Sequence, residues 1–495
     1  MSDLMASFEI FAGNFNAQYG RILNLVLPLL ALLVLLALAV RTAAVAAHAQ
    51  RQADLPDPEP DAGDKARLGE ALAAAVQIPS VTGDEAALAD LRRMLEQRYP
   101  LVFSRLQRLE PEAPYILLRW KGTDPDKKAS LLCAHLDVVP VAGDWGDRDP
   151  FGGQIEEGIL YGRGAVDCKA TLILTLDSVQ QLLEQGFVPK GDIYLAFGHD
   201  EEIGGAQGAA KMAALLAEQN VSFDLVLDEG TPIYKNYLDS EDLPAALIAI
   251  GEKGCCNYRL TATGTAGHAS VPPRHTAVGI LAEAICRIEA AQPRSRVLPQ
   301  LKSFFKDSAG AMSFGKRFVA VNFPVRPLLA AAFRDDKYVM PLLRSTTAVT
   351  MAQGADAPNV LPGAATAVIN CRLLQGDTPE GMLQRLRDLV ADLPMQVDMI
   401  MENPASPLAD PEGETYRLVA GLVPECFGPM PVIPTVTTVA TDSRHYLPIA
   451  ETVLRFCPLP VTREEYAAMH GAPERISLDS LALGGRFYRE LIQKL

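Results

Sequence analysis

The stretch from Leu131 to Val139, LLCAHLDVV, constrains this chain more than any other. A nearly unbroken run of apolar, β-forming residues predicts a strand buried on both faces, as in parallel sheets covered by helices. Its carboxyl end carries His135 and Asp137, and open α/β sheets place their chemistry beyond that end of the strands. Residues two apart share a face of a strand. The Asp137 carboxylate would then stand behind the His135 imidazole, fix its tautomer and leave the other ring nitrogen for a metal.

Downstream segments repeat the pattern. Strands are expected at 115–120, 192–197 and 223–230, alternating with helices at 68–76, through Arg98, and after Ala170 up to Leu183. That alternation predicts an α/β fold with a mostly parallel, helix-covered sheet. From about Glu252 the texture changes to a β-alternating run, a Gly-rich turn and a double proline (NYRLTATGTAGHASVPP). A helix at 277–291, strands at 345–351 and 364–374 and a helix at 379–393 follow. The expectation is one unit formed by 67–251 and 407–495, with a smaller α+β unit inserted at 252–406. A chain of 495 residues is long enough for both.

Ile22 to Val40 is apolar except for Asn24, and as a helix it would be about 28 Å long, enough to cross a bilayer. Residues 1–52 are therefore expected to hold a membrane anchor, with a Pro- and Asp-rich linker at 53–66. Ala47-His48-Ala49 resembles a small-x-small cleavage site, but the long stretch before the apolar run is unlike a signal peptide, so an uncleaved anchor is favoured. Arg21 precedes the span while Arg41 and Arg51 follow it, a bias that by itself would leave the following domain in the cytoplasm. A net charge of -15 and a pI near 5.0 argue against nucleic acid as a partner. The eight cysteines show no CxxC spacing, read as mostly free, buried thiols and leave the redox compartment open.

The titratable residues at strand ends and loops suggest metal chemistry. Glu201 and Glu202 are adjacent, before a Gly-Gly turn, and a division of labour between a cation ligand and a base is natural. Asp167 closes a Gly-rich segment before a helix, Asp228 follows the strand Leu225-Val226-Leu227, and His470 precedes Gly471. Each alone has a plainer role, a surface turn, a helix cap or an unremarkable late His. Together with His135 they suit one or two divalent ions of zinc type.

Eight ordered motifs carry a family resemblance: HLDVVP at 135–140, GRGAVDCKA at 162–170, GHDEEIGG at 198–205, LDEG at 227–230, GHASVPP at 267–273, NVLP at 359–362, TDSRHY at 441–446 and HGAPERIS at 470–477. From about Lys65 to its end the chain resembles the zinc metallopeptidases that include carboxypeptidase S, aminoacylases and N-fatty-acyl-amino-acid hydrolases. The carboxypeptidase S and fatty-acyl-amino-acid branch is the closest in texture. The resemblance implies a zinc exopeptidase-like fold whose inserted unit is a lid or dimerisation domain, allowing a homodimer. It implies two zinc ions bridged by Asp167, one held by His135 and Asp228 and the other by Glu202 and His470, with Asp137 behind His135 and Glu201 as general base. Glu229, which also follows the strand, is an alternative to Asp228. His268 would stabilise the tetrahedral oxyanion with help from Asn359, and Arg372 and Arg444 would bind a substrate carboxylate. Relatives commonly work outside the cytoplasm, which tips the expected location against the arginine count.

The expected function is a membrane-anchored dizinc amidohydrolase that cleaves the amide next to a free C-terminal amino acid, in N-acyl amino acids or short peptides. A broad-specificity dipeptidase or carboxypeptidase is the alternative, and a non-catalytic binding module a more distant one. One departure stands out: Cys168 follows the bridging Asp, where relatives carry an apolar or acidic residue. The resemblance also suggests a cis peptide between Asp167 and Cys168.

Overall fold

The computed structural model describes residues 26–50, 58–322 and 326–495. Its centre is an eight-stranded sheet in the order Gln107–Leu109, Ile116–Trp120, Ile193–Gly198, Ala129–His135, Phe223–Tyr234, Ala450–Val461, Ala245–Glu252, Val432–Thr437. The sheet is mixed. Ala129–His135 runs parallel to both neighbours, as does Phe223–Tyr234 to Ala450–Val461. Ile116–Trp120 pairs antiparallel with Ile193–Gly198, and Ala245–Glu252 pairs antiparallel with the end of Phe223–Tyr234.

The strand expected at 131–139 spans Ala129–His135, and every residue in it is buried. Leu132, Ala134 and the following Leu136 face one apolar cluster, while Ala129, Leu131 and Cys133 face another. Burial on both faces requires this run of apolar residues without polar alternation. Helices Ala62–Val76, Lys169–Glu184 and Leu478–Lys494 cover the first face, and Ala209–Glu218 covers the second. Helix Ala62–Val76 begins inside the stretch read as linker, because Asp61 caps it by accepting from the Asp64 N–H at 2.9 Å. Part of that stretch, and residues 22–25 of the expected span, lie outside the described residues.

A second sheet of Thr346–Gln353, Ala364–Leu373, Gly254–Thr263 and Met395–Met401 is antiparallel throughout. Its alternating Cys256, Tyr258, Leu260 and Ala262 form a separate core with helices Ala277–Ala290 and Pro379–Leu389. Thr276 and Thr378 cap those helices. The intervening stretch behaves differently from the rest of 252–406. Leu298, Phe304, Phe305, Phe333 and Leu342 join the core of the large sheet instead. Helix Val26–Gln50 is, by length and composition, apolar enough to cross a membrane, and its residues up to Val40 are largely exposed.

Candidate active site

The expected ligands converge where strands and loops end. His135 is the last residue of its strand, Glu201 and Glu202 lie in a short turn after Ile193–Gly198, and Asp167 lies in the loop before Lys169–Glu184. The Asp167 carboxylate faces two ways: Oδ1 lies 3.1 Å from His135 Nε2 and Oδ2 lies 2.9 Å from His470 Nε2. Beside His470, Glu202 Oε2 is at 3.3 Å. Beside His135, the second carboxylate is that of Glu229, at 3.1 Å. The arrangement has two lobes, His135 with Glu229 and His470 with Glu202, sharing Asp167.

Asp228, the residue first expected in this place, points the other way. Neighbouring residues of a strand project to opposite sides, and Asp228 accepts from the Ser443 N–H at 2.7 Å and the Glu229 N–H at 2.9 Å. The alternative residue, Glu229, takes the position beside the imidazole.

Asp137 also differs in detail. The strand has ended by then, and the nearer partner of His135 Nδ1 is the main-chain oxygen of Asp137 at 2.8 Å, with the carboxylate at 3.5 Å. A carbonyl only accepts, so Nδ1 carries a proton and Nε2 is turned toward the acids. The Asp137 carboxylate accepts from Thr82 Oγ1 at 2.8 Å and from the N–H groups of Glu201 and Glu202 at 3.2 and 3.3 Å. One carboxylate thus fixes the turn carrying both glutamates. Burial alone would raise its pKa, but the bonds from His135 and Thr82 hold it below the usual range.

Asp167 has a comparable support that the motifs did not reveal. Glu474 is fully buried and accepts from the N–H groups of Val166 at 2.8 Å, Asp167 at 3.1 Å and Gly164 at 3.0 Å, and from Arg163 Nη1 at 2.6 Å. Gly164, at φ +85, meets a steric demand as well, since a Cβ there would lie 2.7 Å from Val138 Cγ1. The peptide joining Asp167 to Cys168 is cis. Cys168 is buried, and its Sγ accepts from the His135 N–H at 3.1 Å. In sequence Glu474 is one charged residue in a late loop; only its place in HGAPERIS, beside His470, hints at a role.

The electrostatics call for a cation. Burial pushes Glu229 up to about 8 despite His135, and burial with Glu229, Asp442 and Asp167 nearby raises Glu201 well above its ordinary value. Hydrogen bonds to Asp167 and Glu202 raise His470 to about 10. Glu202 Oε1 is buried without a hydrogen-bond partner, and a buried carboxylate oxygen without one is costly. His, Asp and Glu side chains are the donor types that zinc accepts. The residues therefore fit a divalent ion.

Of the other expected residues, Arg444 is half-buried near Glu201 and Glu252, and its guanidinium makes no ion pair among the described residues. Burial depresses its pKa. Arg372 donates to the Thr438 carbonyl at 3.0 Å and to Asn370 Oδ1 at 3.2 Å. His268 and Asn359 lie together on a two-stranded ribbon, where the Ala269 N–H donates to the Asn359 carbonyl at 2.9 Å. His268 is exposed and holds Ser270 at 2.7 Å, and neither residue lines the cavity at the acidic cluster.

That cavity measures about 530 Å³ and, beside Thr231, Thr435, Thr437, Thr438 and Thr441, is lined by two unlike groups of residues. Asp167, Glu201, Glu202, Glu229 and His470 form one. Tyr237, Leu238, Leu247, Phe304, Val339 and Leu342 form the other. No sequence pattern marked this apolar end, whose Phe304, Val339 and Leu342 come from the stretch without motifs.

Fold and donor set together define a metallohydrolase of the zinc exopeptidase-like α/β class. The chain belongs to peptidase family M20/M25/M40, which matches residues 131–494. It is 32% identical over 442 residues to the N-fatty-acyl-amino acid synthase/hydrolase PM20D1 of Mus musculus, covering 87% of this chain and 88% of that protein. It is 25% identical over 468 residues to carboxypeptidase S of Saccharomyces cerevisiae, covering 83% and 81%. The M20 family metallo-carboxypeptidase Sso-CP2 from Sulfolobus solfataricus shares the fold, with a TM-score of 0.65 at 18% identity over 85% of this chain and 97% of that one.

Proposed function

We propose that this protein is a dizinc amidohydrolase acting on N-acyl amino acids with long apolar acyl groups, tethered to a membrane by helix Val26–Gln50. The observation that carries the reading is the single cavity with an acidic, metal-fitting end and an apolar end. A volume of about 530 Å³ lies in the range of small-molecule sites, and its apolar wall suits an acyl chain better than the polar backbone of a peptide. The similarity to PM20D1 supports the same substrate class.

His135, Glu229 and Asp167 would hold one ion, and His470, Glu202 and Asp167 the other. Zinc, when bound, supplies Lewis-acid polarisation of the amide carbonyl and a water of lowered pKa. Glu201 accepts the proton of the attacking water and hands it to the departing amine nitrogen, a task that favours a carboxyl whose pKa is raised toward neutrality. Asp137 and Glu474 keep Glu201, Glu202 and Asp167 in register through backbone N–H bonds. Arg444, whose guanidinium makes no ion pair among the described residues, receives the free carboxylate of the amino acid. Arg372 assists from the second sheet. His268 and Asn359, exposed on their ribbon, would serve an oxyanion only across a dimer or after closure of the 252–406 unit. The catalytic part is read as extracytoplasmic.

The test is a substrate panel of N-oleoyl amino acids, N-acetyl amino acids and dipeptides on purified full-length protein with measured zinc content. Preference for the oleoyl series, with two zinc ions per chain, is the expected result. Turnover of dipeptides alone would replace this reading with that of a dipeptidase or carboxypeptidase.

A further inference from the structure

Helix Val26–Gln50 does not stand apart from the protein. Thr42 is fully buried, and its Oγ1 accepts from Asn322 Nδ2 at 2.9 Å. Further along, Ala49 packs so closely on Gly310 that a Cβ on the glycine would lie 2.4 Å from Ala49 Cβ. Seven residues separate the two contacts, about 10 Å along a helix axis. Thr42 lies next to the end of the apolar run at Val40, so a bilayer holding that run would have its surface near Asn322.

Asn322 ends helix Phe314–Asn322, and helix Arg326–Ala332 packs against it. The charges of the first of these lie in its first half, which also carries Phe314, 55% exposed. At its start, Lys316 pairs with Asp239 at 3.0 Å and Asp336 at 2.8 Å, and Arg317 donates to the carbonyls of Ala309 and Gly310 at 2.9 and 3.1 Å. The half near Asn322 reads Phe318-Val319-Ala320-Val321. On the second helix Leu328 is 44% exposed.

The same pair adjoins the catalytic cavity. Phe333, which follows the second helix, packs on Phe305 with ring centres 5.7 Å apart, and Phe305 packs on the cavity-lining Phe304 at 5.3 Å. Tyr237 lines the cavity on one side and, on the other, a small recess bordered by Ala49.

We infer that the adjoining ends of helices Phe314–Asn322 and Arg326–Ala332 are a second membrane contact, seated in the headgroup–acyl boundary beside helix Val26–Gln50 and holding the apolar wall of the cavity against the bilayer. The inference rests on the membrane reading of Val26–Gln50 given above. An amphiphilic substrate would then reach the apolar end of the cavity from the lipid phase rather than through water.

Full-length protein in phosphatidylcholine vesicles, with and without bromine on the acyl chains, tests it. Leu328→Trp should lose about half its added fluorescence to brominated lipid, Ala331→Trp less and Phe314→Trp least, because interfacial helices sink only about 5–10 Å. Native Trp120 and Trp145 are buried and set the baseline. Protein that survives an alkaline wash but shows no Leu328→Trp quenching overturns this inference and leaves the membrane helix standing. Blue-shifted but unquenched emission would mean that a second copy covers the patch, and also overturns it. Protein washed off the vesicles refutes both readings. Turnover of an N-acetyl amino acid by the three variants confirms that they are folded.

Discussion

The two ends of the catalytic cavity are built on opposite principles. At the acidic end the backbone that carries the acids is held by other side chains: Asp137 grips the turn of Glu201 and Glu202, and Glu474 grips the loop of Asp167. At the apolar end the side chains of Phe304, Val339 and Leu342 are held by packing within the large core. Hydrogen bonds demand particular atoms at particular distances, whereas packing demands volume and apolarity. The first end therefore tolerates little change, and the second can be reshaped.

The sharpest contrast comes from Glu201, the proposed base. Glu201→Gln should lower kcat by about 10³-fold, within the range general acid–base groups supply, while zinc content measured by plasma mass spectrometry stays unchanged. Retained turnover would mean that another group takes the proton, and would remove the division of labour assigned to the two glutamates. Next in size are the cluster's supports. Glu229→Gln should weaken zinc affinity by about 100-fold or more, and Glu474→Gln by about 10–100-fold, as removal of an orienting partner typically does. Asp228→Asn should cost less than Glu229→Gln, because Asp228 faces Ser443. Chelator competition would rank the three, and an Asp228 effect larger than that of Glu229 would return the ligand role to Asp228.

The apolar end predicts a smaller and more selective change. Leu342→Trp takes up cavity volume without touching the acids. It should lower kcat/KM for N-oleoyl substrates about 10-fold relative to N-acetyl ones, since each methylene in an apolar pocket is worth roughly 1–3 kcal/mol. An equal loss on both substrates would show that the acyl group lies elsewhere.

The same contrast explains what could be read from sequence. His135, Asp167, Glu202 and His470 stand in short motifs because metal-type geometry needs those residue types, and the structure brings them together. The strand Ala129–His135 was legible because burial on both faces leaves it no polar positions. Asp228 and Glu229 were not separable, since the choice depends on which way one strand residue faces. Glu474 was invisible because its partners are backbone N–H groups some three hundred residues away. The apolar wall was missed for a different reason: Val297 to Leu343 lacks a motif, and its attachment to the large core rather than to the inserted sheet is a tertiary choice. The mixed sheet likewise depends on pairing across strands such as Ala245–Glu252 and Phe223–Tyr234, which local periodicity does not encode.

The smallest expected effect concerns stability without metal, and it separates the ends most cleanly. In the metal-free fold Glu229 keeps its proton up to about pH 8, while in the unfolded chain it would lose it near its ordinary value of 4.5. Over that window the folded state binds more protons, so stability falls as pH rises. His470, raised from 6.5 to about 10, acts in the same direction: its contribution is complete below pH 6.5 and is lost as pH climbs through about 10. It is more than half exposed, so solvent screens its share, and the buried Glu229 and Glu201, raised in the same sense, outweigh it. Asp137 and Asp167, held low by their partners, work in the opposite sense only at acid pH. A bound cation replaces these protons and cancels the fall. The Tm gap between zinc-loaded and chelated protein should therefore widen by several degrees from about pH 5 to about pH 9. Glu229→Gln should flatten the pH dependence of the chelated protein, whereas Leu342→Trp, which changes no charge, should leave that slope unaltered while shifting Tm at every pH alike. A slope that survived Glu229→Gln would assign the titration to another buried group, Glu201 first, whose carboxyl burial also raises well above its ordinary value.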